Sequence, residues 1–113
     1  MSRYRKDLGD FGEAAAAAYL QKKQYQILEK NYRAAGGELD LIARTKTHLV
    51  FVEVKTRSNL HYGRPIEAID RRKIQHMRRA AAAYLSEHPT QLEIRFDAVE
   101  VFAVESVGIM QLK

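Results

Sequence analysis

The stretch LVFVEVKTR, residues 49–57, alternates in the manner of a β-strand, with Val50, Val52 and Val54 on one face and Phe51, Glu53, Lys55 and Arg57 on the other. A strand meant only for burial would carry Val or Ile at positions 53 and 55. Burying an ion costs several kcal/mol unless it is paired or solvated. Glu53 and Lys55 therefore require a compensating environment, and the residues just upstream suggest one.

GELDLIAR, ahead of this stretch, also has period two: Leu39, Leu41 and Ala43 face one way, and Glu38, Asp40 and Ile42 the other. The connection RTKTH is too short for anything but a hairpin. Matching the apolar faces leaves two registers. One has a four-residue loop, Thr45 to His48, and the other needs a Thr45-Lys46 turn without the usual Gly or Asn. The first places Ala43 opposite Val50, Leu41 opposite Val52 and Leu39 opposite Val54. On the other face Ile42 meets Phe51, Asp40 meets Glu53 and Glu38 meets Lys55.

Two carboxylates would then stand with Cβ atoms roughly 5 Å apart, tolerable if one is protonated or a cation lies between them. An oxygen-only donor set suits a hard cation, Mg²⁺ or Mn²⁺. Lys55, about 7 Å further along the same face, would stand at the rim, placed to hold a scissile phosphate or to help deprotonate the attacking water. The competing reading is a charge ladder on a solvated sheet face, with Glu38 and Lys55 paired. Phe51 and Ile42 on that same face argue for a cleft instead.

Around this hairpin, the alanine-rich segment from Asp7 or Asp10 to Lys23 is expected to be helical, with Asp10 and Glu13 forming a capping box. Glu13 also projects from a surface of small residues, Ala16 and Ala17, that another element could approach closely. Tyr25 to Arg33 reads as a strand, broken at Gly36-Gly37. These glycines form a turn or admit a close phosphate. A second helix, from Ile66 or Asp70 to Glu87, is stopped by Pro89, with Ile74, Met77, Ala81, Tyr84 and Leu85 on its apolar side. Leu92 to Val104 reads as a strand, and VGIMQLK is a candidate for one more. A helical crossover between the third and fourth strands makes that pair parallel. The expected fold is thus α/β, a mixed sheet with flanking helices in the order αβββαβ and an optional C-terminal strand.

The chain has 113 residues and 46% hydrophobic content, the size of one domain, 1–113, with one core. Its longest apolar run, Ala14 to Leu20, is too short to span a bilayer, and MSRYRKDLGD has no signal-like apolar core. A cytoplasmic protein without a membrane anchor is expected. The absence of cysteine excludes disulfides, thiolate nucleophiles and zinc ribbons, and the four histidines are spaced as surface residues. A net charge of +5 favours anionic partners, nucleic acid ahead of acidic membrane surface, unless this is simply a basic protein. The positive charge is concentrated in RRKIQHMRR. There Arg71, Gln75 and Arg78 form one stripe, with Arg72 and Arg79 on its neighbour, suited to phosphate contacts or to plain solvation. Arg57 and the loop SNLHYGRP could meet a nucleic-acid backbone near the cleft. Asp97 is better explained as a partner of Arg95 than as a catalytic group.

Glu13 on a helix, Asp40 in GELDLIA, Glu53-Val54-Lys55 after a hairpin and then a basic helix together resemble the PD-(D/E)xK nuclease superfamily. GDFGEAAAAAYL, NYRAAGGELDLIA, LVFVEVKTR and RFDAVEV look like the YraN family of small bacterial proteins over nearly the whole chain. The order of the four residues is also similar to that in archaeal Holliday junction resolvases. The resemblance implies a restriction-endonuclease-like core, Asp40 and Glu53 as ligands of Mg²⁺ or Mn²⁺, Lys55 as catalytic lysine and Glu13 as an additional catalytic acid. Lys73 falls where related nucleases sometimes carry an extra basic residue near the site, and is counted with the α2 residues expected to contact nucleic acid. The proline that names the motif is replaced by Leu39. The implied activity is metal-dependent hydrolysis of phosphodiester bonds in branched or single-stranded DNA, in recombination or repair. A non-catalytic nucleic-acid-binding accessory on the same scaffold is the alternative, and a module whose basic helix meets an acidic protein is a third. A junction resolvase would need two sites, hence a homodimer.

Overall fold

The computed structural model describes residues 3–57, 71–103 and 107–112. Its elements are α1 (Arg3–Lys22), β1 (Gln26–Ala34), β2 (Gly37–Arg44), β3 (His48–Arg57), α2 (Arg71–Glu87), β4 (Glu93–Ala103) and β5 (Val107–Leu112). The strands form one mixed sheet in the order β1-β2-β3-β4-β5, in which β3 and β4 are parallel and the other neighbours antiparallel. This is the αβββαβ arrangement of a restriction-endonuclease-like core, with β5 as the extra C-terminal strand. SNLHYGRP and the expected start of the second helix at Ile66 or Asp70 lie outside the described residues. None of the described helices is long and apolar enough to cross a membrane.

The helices cover opposite faces of the sheet. α1 buries Ala16, Ala17 and Leu20 against Leu41, Val50, Val52, Val54, Val99 and Val101. Gly12 makes this approach possible, because a Cβ there would run into the Thr56 side chain. The helix starts well before Asp10, so the expected capping box does not form. Asp10 lies inside the helix, where Lys6 pairs with it across one turn at 3.0 Å.

α2 closes the other face with Met77, Ala80, Ala81 and Tyr84 over Leu39, Ile42, Leu49 and Phe51. That face, readable in the sequence as a solvated charge ladder, is therefore a second core. Ile74, expected among its apolar residues, is 40% exposed. Its neighbours Lys73 and His76 line a pocket beside the β1–β2 turn, and the buried side of α2 begins only at Met77.

Two local devices set the strand geometry. Ala35 and Gly36, at φ of 53° and 76°, form a two-residue turn with both central residues left-handed, which suits the twist of a hairpin. Gly37 follows, and a Cβ there would strike the His76 carbonyl, so α2 can sit directly on the hairpin. Across the next hairpin the ladder runs from Arg44 opposite Leu49 to Leu41 opposite Val52, the register with the four-residue loop. Beyond that pair the strands part, and the expected pairing of Leu39 with Val54 is not made. Leu39 instead joins the core under α2, while Val54 joins the core under α1.

Candidate active site

The parting of β2 and β3 creates the site. An antiparallel ladder continued past Leu41 and Val52 would use the next main-chain groups of both strands. Instead the Val54 amide donates to Asp40 Oδ2 at 2.7 Å, so the Asp40 side chain replaces a ladder bond and fills the gap. Asp40 and Glu53 do come together as expected, through this gap and not as a ladder pair. Both are buried, at 7% and 5% exposure.

The Glu53 carboxyl is pushed up to about 7, first by burial and then by the charge of the neighbouring Asp40 carboxyl. The Lys73 ammonium opposes this, lying 3.1 Å from Glu53 Oε2. Burial works against the charge on Lys73, but Glu53, Asp40 and Glu38 outweigh it and raise its pKa. Glu53 Oε1 is buried with no hydrogen-bond partner. A buried carboxylate oxygen left this way loses its hydration without replacement, and is a natural point for a cation or proton to enter.

Glu13 reaches the same region from α1. Its carboxyl is half-buried and raised by burial and then by Asp40, while a hydrogen bond with Asn31 pulls the other way. Asn31 itself lies between the Lys30–Leu41 and Tyr32–Leu39 pairs, at φ 53°, a left-handed conformation that Asn tolerates better than most residues. The sequence pattern gave no notice of Asn31 beyond that known tolerance.

Among the basic residues, Lys55 is half-buried on the strand after Glu53 and stands opposite Glu100 in the parallel ladder. The expected Glu38–Lys55 pair is not formed; Glu38 is held by Arg33 Nε at 2.8 Å. Arg57 is engaged inside the protein by buried Glu100, at 3.1 Å, so part of its donor set is already committed. Arg71, Arg72, Gln75, Arg78 and Arg79 are all exposed on α2, whereas Lys73 and His76 are half-buried toward the hairpin. A pocket of about 470 Å³ opens there, lined by Arg33, Ala34, Gly36, Gly37, Glu38, Lys73 and His76. Lys73 thus belongs to both the acid pair and the pocket. Asp97 is fixed by Arg95 through two bonds of 2.9 and 2.8 Å, the structural role expected of it.

The arrangement defines a restriction-endonuclease-like α/β protein with a buried acid pair lodged between diverging strands. Residues 12–101 match the model of "Uncharacterised protein family UPF0102", the YraN family. The UPF0102 protein of Caldanaerobacter subterraneus subsp. tengcongensis is 48% identical over 99 residues, covering 87% of this chain and 81% of that protein. That of Acetivibrio thermocellus is 46% identical over 107 residues, covering 93% and 82%. That of Beutenbergia cavernae is 45% identical over 100 residues, covering 88% and 85%. The chain belongs to the UPF0102 family.

Proposed function

We propose that the protein is a metal-dependent nuclease that hydrolyses phosphodiester bonds in branched or single-stranded DNA, in recombination or repair. The observation carrying this reading is the meeting of Asp40 and Glu53, both buried, beside Lys73 and next to a basic helix. The donor set fits Mg²⁺ or Mn²⁺: the groups are carboxylate oxygens, and Glu53 Oε1 is without a partner. One or two carboxylates, completed by water and substrate phosphate, are a usual protein share for Mg²⁺. Asp40 and Glu53 would hold the ion, which when bound supplies Lewis-acid stabilisation of charge on the phosphoryl oxygens.

The chain's own residues would do the rest. Lys55 positions the scissile phosphate and stabilises its developing charge, and Glu13 orders water on the α1 side of the acid pair. The exposed arginines of α2 hold the DNA backbone through phosphate contacts that carry no sequence information. Cleavage of duplex, flap and four-way DNA with Mg²⁺ or Mn²⁺ tests the reading. Asp40→Ala and Lys55→Ala should each lower the rate at least ~100-fold, the order of effect for removing one preorganised charged group. Activity that survives both substitutions ends it.

A second reading, a non-catalytic nucleic-acid-binding accessory, is favoured by one observation. Among the described residues no group of three or more His, Asp or Glu side chains is placed to hold a metal ion. It predicts salt-sensitive DNA binding that needs Arg71, Arg72, Arg78 and Arg79, with no metal-dependent turnover.

A further inference from the structure

We infer that the pocket between the β1–β2 turn and the first turn of α2 binds a phosphate of a single DNA strand. This deepens the nuclease reading and rests on it for the role of the neighbouring acid pair. The pocket is an open cleft of about 470 Å³, room enough for one nucleotide of a strand.

Its lining offers donors to an anion. Lys73 is shared with Glu53 of the acid pair and Arg33 with Glu38, so the donors that a phosphate would meet first are those of Arg33. Glu38 is not a bare repulsive wall, because Arg33 Nε neutralises it at 2.8 Å. A guanidinium has five N–H donors, and the Arg33 side chain is 76% exposed, so donors remain for a phosphate. At the turn, the space where a Gly36 Cβ would stand has nothing within 4 Å, so a strand's backbone can come against the protein main chain. Lys73 joins this pocket to Glu53. A phosphate held here would be next along the strand from one presented to Asp40 and Glu53.

The experiment measures binding of a fluorescent single-stranded oligothymidylate by anisotropy in EDTA, so that neither metal nor cleavage is required. Arg33→Gln should weaken binding about tenfold, the loss of one charge-assisted hydrogen bond. The slope of log affinity against log salt should become shallower by about 0.7, the release of one single-strand phosphate contact. Arg44→Gln, which removes an exposed arginine at the other end of β2, should change affinity by less than about twofold, as a charge beyond the screening length would. On the wild type, the probe should shift the amide resonances of Gly36, Gly37 and His76. Equal losses for the two variants, or shifts that avoid those amides, overturn the site. Unchanged binding by Arg33→Gln, with cleavage that still needs Asp40, removes this site and leaves the nuclease reading standing. Selective loss of binding in Arg33→Gln, with no cleavage by any form of the protein, keeps the site and ends that reading.

Discussion

Asp97 on β4 and Glu53 on β3 are both buried carboxylates in neighbouring strands, yet their surroundings differ in kind. Arg95 grips both oxygens of Asp97 in a fork and also donates to the Tyr25 hydroxyl at 2.7 Å, so this group is tied into the side of the sheet under α1. Glu53, on the side under α2, has one oxygen near Lys73, the other without a partner, and a second carboxyl against it. A satisfied buried acid holds a fold together. A half-satisfied one beside another acid weakens the fold at neutral pH, and such an arrangement persists most readily where it serves chemistry.

The largest effect should follow from breaking the satisfied member. Asp97→Ala leaves Arg95 largely buried without its counter-charge, and should lower unfolding free energy by about 3–5 kcal/mol in urea denaturation. A loss below ~1 kcal/mol would mean that the fork is a surface-like pair and that the contrast with Glu53 is false.

Glu53 should behave in the opposite sense. Its folded pKa, about 7, lies above the ordinary carboxylate value of 4.5, so folding favours the protonated form. Its contribution to stability is full below pH 4.5, falls as pH climbs toward 7 and levels off above it. Glu53→Gln removes this dependence. The variant should be more stable than wild type at pH 8 by on the order of 3 kcal/mol, and close to it near pH 4. Parallel stability–pH curves for the two proteins would show that Glu53 is not held in its neutral form.

The same comparison explains what could be read from the chain. LVFVEVKTR and GELDLIAR disclosed the hairpin register, because only one pairing with an ordinary loop aligns Leu41 with Val52 and Ala43 with Val50. Arg95 with Asp97 was legible as well, since two residues of opposite charge on one strand face are neighbours by period alone. What periodicity could not reveal was the end of the ladder. It assumes that strands stay together, so it set Leu39 against Val54, whereas the structure has Asp40 capping the Val54 amide where they separate. The capping box failed for a similar reason. Arg3–Lys22 continues through Asp10, and local spacing cannot tell a helix start from its interior. Resemblance put Lys73 near the site, but period and spacing could not name Glu53 as its partner, a contact between elements twenty residues apart in sequence.

Adding Mn²⁺ should sharpen the contrast further. A ligand at a hundred times its Kd stabilises the folded state by about 2.7 kcal/mol, read as a rise in Tm. The proposed site predicts this rise for the wild type and its loss in Glu53→Gln and Asp40→Asn. A rise that persists in both variants would place the ion elsewhere in the protein.

Glu100 supplies the finest test, because it shares one property with each of the other two acids. It is buried at 2% exposure and paired with Arg57 at 3.1 Å, as Asp97 is with Arg95, yet its Oε2 is without a partner, as Glu53 Oε1 is. If an orphaned oxygen alone marked a metal ligand, Glu100 would be one. A metal ligand needs more than that, a second carboxyl beside it, which Glu53 finds in Asp40. Glu100→Gln keeps an acceptor for Arg57, so the expected cost is only about 1 kcal/mol, the difference between a charge-assisted and a neutral hydrogen bond. The Mn²⁺-induced rise in Tm should remain as in wild type. If Glu100→Gln abolished that rise while Asp40→Asn left it intact, the ion would belong beside Arg57, and the pairing of acids would no longer identify the site.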